Sequence, residues 1–185
     1  MRVIRILNLG QCMYKKIPFV TFKIISKTPS GHEVSQTNWS DRSSEEMFGD
    51  KKCLLFSLPG AFTPICSTYQ LPLFNSLYYD FKSLGIDEIY CISVNDPFVM
   101  DAWREASGVK DVKLIPDGTG EFTRKMGMLV HKDNFGFGMR SWRYAAIIND
   151  QEIEAWFEEP GFADNCEDDP YGETTPQSLL DYLRA

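Results

Sequence analysis

A single α/β domain is predicted by three observations. Apolar runs of strand length, such as Cys53 to Leu58 and Glu88 to Val94, alternate with helical stretches. Pro, Gly, Asn and Asp punctuate the intervals between them. The chain, at 185 residues, is long enough to bury one substantial core.

The elements follow in order. Ile17 to Ile25 alternates as a strand. Ser43-Ser44-Glu45-Glu46 has the spacing of a capping box, opening a short helix that Gly49 can end. The strand at 53–58 leads into a helical stretch from Pro64 to Ser83, where Pro72 predicts a kink or break. Glu88 to Val94 is a second buried strand, and Pro97 opens a helix reaching Ala106. Val112 to Ile115 is a third strand, followed by a short helix over Glu121 to Met126. Arg143 to Ile148 and Glu152 to Phe157 form a hairpin across Asn149-Asp150-Gln151, and Thr175-Pro176 starts a last amphipathic helix. Strands alternating with helices and ending in a hairpin plus helix fit a thioredoxin-like sandwich, a central mixed sheet flanked by helices. Residues 17–185 make this domain, and residues 1–16 are read as an N-terminal extension.

Composition narrows the function. Hydrophobic residues are 43% and charged residues 24%, ordinary for a globular protein in water. A net charge of −7 without a basic patch argues against nucleic acid as a partner. No apolar run is long enough to cross a membrane. Charges interrupt the short apolar stretch near the N-terminus, so no secretory signal is expected and the cytoplasm is the default compartment. The acidic groups Glu158-Glu159 and Glu167-Asp168-Asp169 read as a solvated face.

The five cysteines, Cys12, Cys53, Cys66, Cys91 and Cys166, contain no C-x-x-C pair, which fits neither a disulfide framework nor a structural zinc site. His32 and His131 both read as exposed loop histidines, which weakens any Cys–His chemistry. One cysteine stands apart. Leu58-Pro59-Gly60-Ala61-Phe62-Thr63-Pro64-Ile65-Cys66 runs from a buried strand through a Pro/Gly turn into a helix. Cys66 thus lies near a helix start, where free N–H groups and the macrodipole favour a thiolate, and Thr63 lies one turn earlier, placed to hydrogen-bond its sulfur.

Pro59-x-x-x-Thr63-x-x-Cys66 resembles the active-site signature of the peroxiredoxins, thiol peroxidases on a thioredoxin fold. Ser93-Val94-Asn95-Asp96-Pro97-Phe98 and Gly138-Met139-Arg140-Ser141-Trp142-Arg143-Tyr144 are similar to the type II branch, the peroxiredoxin-five subfamily. The resemblance runs from about Ile17 to Leu183. It implies that Cys66 is the peroxidatic nucleophile and that Thr63 and the Gly60-to-Cys66 amides orient the peroxide. It implies further that Arg143 is the activating cation, with Arg140 assisting or reaching solvent, and that Pro59 shields the sulfur. Such chemistry needs neither metal nor other cofactor. The implied substrates are hydrogen peroxide and alkyl hydroperoxides, the implied role antioxidant defence. The reductant is glutathione with glutaredoxin, favoured here, or thioredoxin.

Cys91 occupies the position of a cysteine found in plant and some bacterial type II members. It is either a resolving thiol or an inert core thiol in its strand. Cys53 reads as core, and Cys166 as exposed among acids that weaken it as a nucleophile. Phe62, Phe98, Trp103 and Phe137 surround the presumed site; Trp103 reads as core. The loops carrying Phe62 and Phe98 form a dimer contact in type II relatives, which implies a homodimer. Two other classes use the same residues: a thioredoxin-like binding module without turnover, and an enzyme directing Cys66 at another electrophile. A disulfide reductase wants a C-x-x-C pair, and position 63 is Thr.

Overall fold

The computed structural model describes residues 15–25 and 39–185. Cys12 and His32, and with them most of the N-terminal extension, lie outside the described residues. Lys15 and Lys16 are part of the fold: the Lys15 carbonyl accepts from Ile153 N at 3.0 Å, and Lys16 bridges Glu152.

Strand β1 (Thr21–Ile25) pairs antiparallel with β2 (Trp39–Ser43). Helix α1 (Ser44–Phe48) carries the expected capping box, with the Ser43 hydroxyl accepting from Glu46 N and the Glu46 carboxylate accepting from Ser43 N. After β3 (Lys52–Ser57) the chain turns helical at Pro64. It widens into a π-helix at Cys66–Gln70, then continues as α2 (Leu71–Ser76) and α3 (Tyr78–Ser83). Next come β4 (Glu88–Ser93), α4 (Pro97–Ala106), β5 (Lys113–Pro116) and α5 (Glu121–Lys125). A small ribbon of β6 (Leu129–His131) and β7 (Met139–Ser141) spans a 3-10 turn at Asp133–Phe135. The hairpin β8 (Tyr144–Asn149) and β9 (Glu152–Glu158) and helix α6 (Pro176–Arg184) complete the chain.

The central sheet has the order β5-β4-β3-β8-β9, with β3, β4 and β5 parallel and β8 and β9 antiparallel additions. This is the mixed sheet of a thioredoxin-like fold. Its middle strand is covered on both faces, which is why Cys53 to Leu58 is apolar without alternation. Leu54 and Phe56 face one core with Phe74, Phe81, Met100, Trp103, Leu179 and Leu180. Cys53 and Leu55 face the other, with Phe48, Tyr90, Phe122 and Trp142.

Three local expectations need correction. Pro72 does not end the helix: the change from π to α falls just before it, at Gln70 and Leu71, and the break between helices falls at Leu77 (φ −98°, ψ 11°). The first strand begins at Thr21 rather than Ile17. The hairpin turn is tighter than expected, because Asn149 pairs with Glu152 and only Asp150 and Gln151 turn, both left-handed at φ 45° and 68°.

Candidate active site

The turn after β3 is shaped by its own backbone. Thr63 N and the Thr63 hydroxyl both donate to the Gly60 carbonyl, at 3.4 and 2.8 Å, and Ser67 N then donates to the Thr63 carbonyl at 3.0 Å. The Thr63 hydroxyl proton is therefore committed to Gly60 and not to the Cys66 sulfur, which corrects the sequence expectation. The amides of Ala61 and Thr63 are committed too, Ala61 N to Asn95 Oδ1 at 2.9 Å. Asn95 also accepts from the Ser93 hydroxyl, so the Ser93-to-Pro97 block ties down the turn. Gly60 is closely approached: a Cβ there would lie 3.2 Å from Thr63 Cγ2 and 3.3 Å from Arg140 Nη1, so either side chain would have to give by a few tenths of an ångström. Pro59 and Gly60 are buried, and Thr63 is half-buried.

Cys66 opens the π-helix, where the Leu71 N–H reaches back five residues to its carbonyl. The wider turn puts Cys66 and Gln70 on the same buried face. Both meet Arg143, the residue before β8. Arg143 Nη1 lies 3.6 Å from Cys66 Sγ and also donates to Gln70 Oε1. Nη2 meets Asp169 Oδ1 at 2.6 Å, Nε donates to the Pro170 carbonyl at 3.0 Å, and the guanidinium carbon lies 5.5 Å from the Tyr171 ring centre. Arg143 is 1% exposed and Cys66 0%. Burial alone pulls the Arg143 pKa down, but the Cys66 sulfur and the Asp169 carboxylate outweigh it and raise it above its ordinary value. A permanent cation is thereby fixed against the sulfur.

Arg140 has a different task. Its Nε donates to the Phe137 carbonyl and its Nη1 to the Val94 carbonyl, both at 3.0 Å, with the Phe137 ring beneath it. Partly exposed, it pins the β7 side against Val94 and the Gly60 turn. Cys91 lies in β4 opposite Phe56 and packs into the same core cluster as Cys66. Burial pushes its thiol well above the ordinary range, the nearby Cys66 adds to this, and Arg143 opposes it weakly. Cys53, Cys66, Cys91 and Cys166 are all free thiols. Trp103 is core, and its indole N–H donates to the Ser67 hydroxyl at 2.9 Å. His131 is exposed at the end of β6, beside Asp133.

Sequence reasoning missed Gln70, Asp169, Pro170, Tyr171 and Glu159. Gln70 had one readable signal, its place one helical turn beyond Cys66. The acidic stretch read as a solvated face is only partly so. Glu167 and Asp168 are exposed, but Asp169 pairs with Arg143, and Glu159 is 2% exposed. Glu159 accepts from Gly172 N, Thr174 N and the Thr174 hydroxyl, at 2.9, 2.8 and 2.8 Å.

A buried thiol, an always-charged arginine on its sulfur and a Thr/Pro turn in front form a constellation for attack on a small electrophile. The family model described as Redoxin matches residues 22–169. A peroxiredoxin of Rhizobium etli is 60% identical over 173 residues, covering 94% of this chain and 97% of that one. The hybrid peroxiredoxin hyPrx5 of Haemophilus influenzae is 44% identical, over 91% of this chain and 65% of its own. The Plasmodium falciparum antioxidant protein, a 1-Cys peroxiredoxin, superposes with a TM-score of 0.84 at 36% identity, covering 91% of this chain and 97% of that structure. The chain is a peroxiredoxin of the type II, peroxiredoxin-five-like branch. Peroxiredoxins are thiol peroxidases of antioxidant defence, oxidoreductases that take a peroxide and a thiol reductant. No helix among the described residues is long and apolar enough to cross a membrane.

Proposed function

We propose that this peroxiredoxin reduces hydrogen peroxide and alkyl hydroperoxides through Cys66. The observation that carries the reading is the 3.6 Å contact of Arg143 Nη1 with Cys66 Sγ in a buried site. The Cys66 thiolate attacks the hydroxyl-bearing oxygen of the peroxide, forming an S–O bond as the O–O bond breaks. The electron pair leaves on the other oxygen, which takes up a proton and departs as water or alcohol. Arg143, with Nη1 against the sulfur, stabilises the negative charge as it moves from sulfur to oxygen. The Thr63 oxygen, its proton committed to Gly60, accepts the O–H of the peroxide. Main-chain donation falls to amides of the turn other than those of Ala61 and Thr63, that of Cys66 among them. Pro59 screens the sulfur, and Arg140 holds the turn in register.

The resulting sulfenic acid is reduced by glutathione: one thiol displaces water to give a mixed disulfide, and a second, delivered directly or by glutaredoxin, releases the Cys66 thiolate and glutathione disulfide. The protonated, enclosed state of Cys91 favours this route over an internal disulfide and thioredoxin. Four unpaired thiols among the described residues fit a reducing compartment, the cytoplasm. Phe62, on the turn after β3, and Phe98, in the first turn of α4, are exposed and fit a homodimer contact.

A peroxide-consumption assay with glutathione plus glutaredoxin tests the reading. Cys66→Ser is expected to abolish turnover while leaving the fold intact by circular dichroism. Retained turnover in that variant overturns it.

A further inference from the structure

The segment Asp169-Pro170-Tyr171 touches Arg143 in three ways: a carboxylate on Nη2, a carbonyl on Nε and an aromatic ring on the guanidinium face. These residues lie outside the Pro/Thr/Cys turn, on the connection between β9 and α6. The segment is itself anchored, since buried Glu159 takes the amides of Gly172 and Thr174 on its far side. Resting on the peroxidase reading above, we propose that Asp169 is a positioning residue of the peroxidatic site, acting through Arg143.

A guanidinium has five N–H donors in a rigid planar fork, so fixing two edges fixes the third. Asp169 and Pro170 fix Nη2 and Nε, and the remaining donor atom, Nη1, is thereby directed at Cys66 Sγ and Gln70 Oε1. Without the carboxylate, the long side chain regains rotamers that point Nη1 away from the sulfur. A misplacement of about 1 Å at a reacting centre costs on the order of 10²-fold in rate. Asp169 also opposes Arg143 electrostatically, because its negative charge competes with the thiolate for the same cation. Its value to the site is therefore in direction, and an uncharged acceptor of the same shape retains most of it.

A double-mutant cycle tests this on the full chain, reading kcat/KM for hydrogen peroxide with glutathione and glutaredoxin in excess. Asp169→Ala is expected to lower kcat/KM by roughly 10-fold or more in the wild-type background. In an Arg143→Ala background the same change is expected to cost less than about 2-fold, because the group it directs is gone. Asp169→Asn, which keeps the acceptor, is expected to stay within about 3-fold of wild type. The proposal is overturned if Asp169→Ala turns over at the wild-type rate, if its loss is equal in both backgrounds, or if Asp169→Asn is as poor as Asp169→Ala. Should Asp169→Ala fail to fold, Asp169→Ser, whose short side chain withdraws the acceptor from Nη2, takes its place in both backgrounds with the same expected losses. Full activity in Arg143→Ala is a different result, striking the reading of Arg143 and with it any role for Asp169, whereas a wild-type rate in Asp169→Ala beside an impaired Arg143→Ala strikes the Asp169 step alone.

Discussion

The Thr63 hydroxyl donates its proton to the Gly60 carbonyl at 2.8 Å, three residues back across the turn that carries Cys66. That bond turns the oxygen's remaining lone pairs outward as an acceptor and clamps the turn at the same time. Thr63→Val, which keeps shape and deletes both functions, is expected to lower kcat/KM for peroxide by about 10²-fold. Thr63→Ser keeps the oxygen and is expected to recover most of the rate. Steady-state kinetics of the two variants decide the matter. Equal losses in Val and Ser would show that packing of the methyl, and not the hydroxyl, is what the site needs.

Cys53 makes stability depend on pH from the alkaline side. Burial, the largest cause, raises its thiol from 9.0 to about 12; Lys51 opposes this and Glu88 adds to it. Between those values the folded chain keeps a proton that the unfolded chain has released. The stabilising effect is therefore complete below about pH 9 and is lost as pH rises toward about 12, up to ~4 kcal/mol. Urea midpoints measured from about pH 8 to about pH 11 are expected to fall steeply in wild type and less steeply in Cys53→Ala. Tyr90 and Cys91 are displaced in the same direction by burial, so the variant flattens the decline without removing it. Parallel curves would remove Cys53 from the account.

What was legible in the sequence was what is decided locally. The Ser43 and Glu46 capping pair, Pro97 at a helix start and the unbroken apolar run of β3 each follow from neighbours a few residues away, and each is observed. Strand β2, with the sequence Trp-Ser-Asp-Arg-Ser, offers no alternation to read, and the three-residue strands β6 and β7 are too short to carry a period. In the site, Pro59, Thr63 and Cys66 share one turn and are visible as a spacing. Gln70 and Asp169 matter only because Arg143 reaches both, and Asp169 lies 26 residues further along the chain. An acidic run looks the same whether one member faces water or a buried guanidinium. Pro72 was read as a kink or break, and what lies beside it is a change of helix type, from π to α, with the chain helical throughout.

Phe62 is 56% exposed and left-handed, with φ 62°. An aromatic residue held in that region costs of order 1–3 kcal/mol, and the surrounding turn alone gives it little apolar burial in return. On the homodimer reading, a contact with a second copy would supply that burial, with exposed Phe98 in the first turn of α4 as a further apolar group. Phe62→Asp is the informative change, because Asp tolerates the left-handed region while removing the apolar surface. Sedimentation velocity is expected to show a dimer for wild type and a shift to monomer for Phe62→Asp. A monomeric wild type would sink the homodimer.

Cys91 decides how the cycle closes. It shares a core cluster with Cys66, which suits an internal disulfide, yet it is fully buried in β4 and burial holds its thiol well above the ordinary range. At neutral pH it is therefore a protonated thiol fixed in a strand, and attack on a sulfenic sulfur needs a thiolate free to move. A disulfide also requires Cα atoms within about 7 Å and correctly aimed Cβ vectors. A soluble thiol meets none of these constraints. After one equivalent of peroxide followed by glutathione, mass spectrometry is expected to show a mixed disulfide at Cys66, with Cys91 alkylatable once the protein is denatured. Cys91→Ser is expected to keep turnover with glutathione and glutaredoxin within about 3-fold of wild type, because a thiol that takes no part in the cycle can be lost without changing the rate. A quantitative Cys66–Cys91 crosslink, lost together with turnover in Cys91→Ser, would make Cys91 the resolving thiol and the cycle a two-cysteine one.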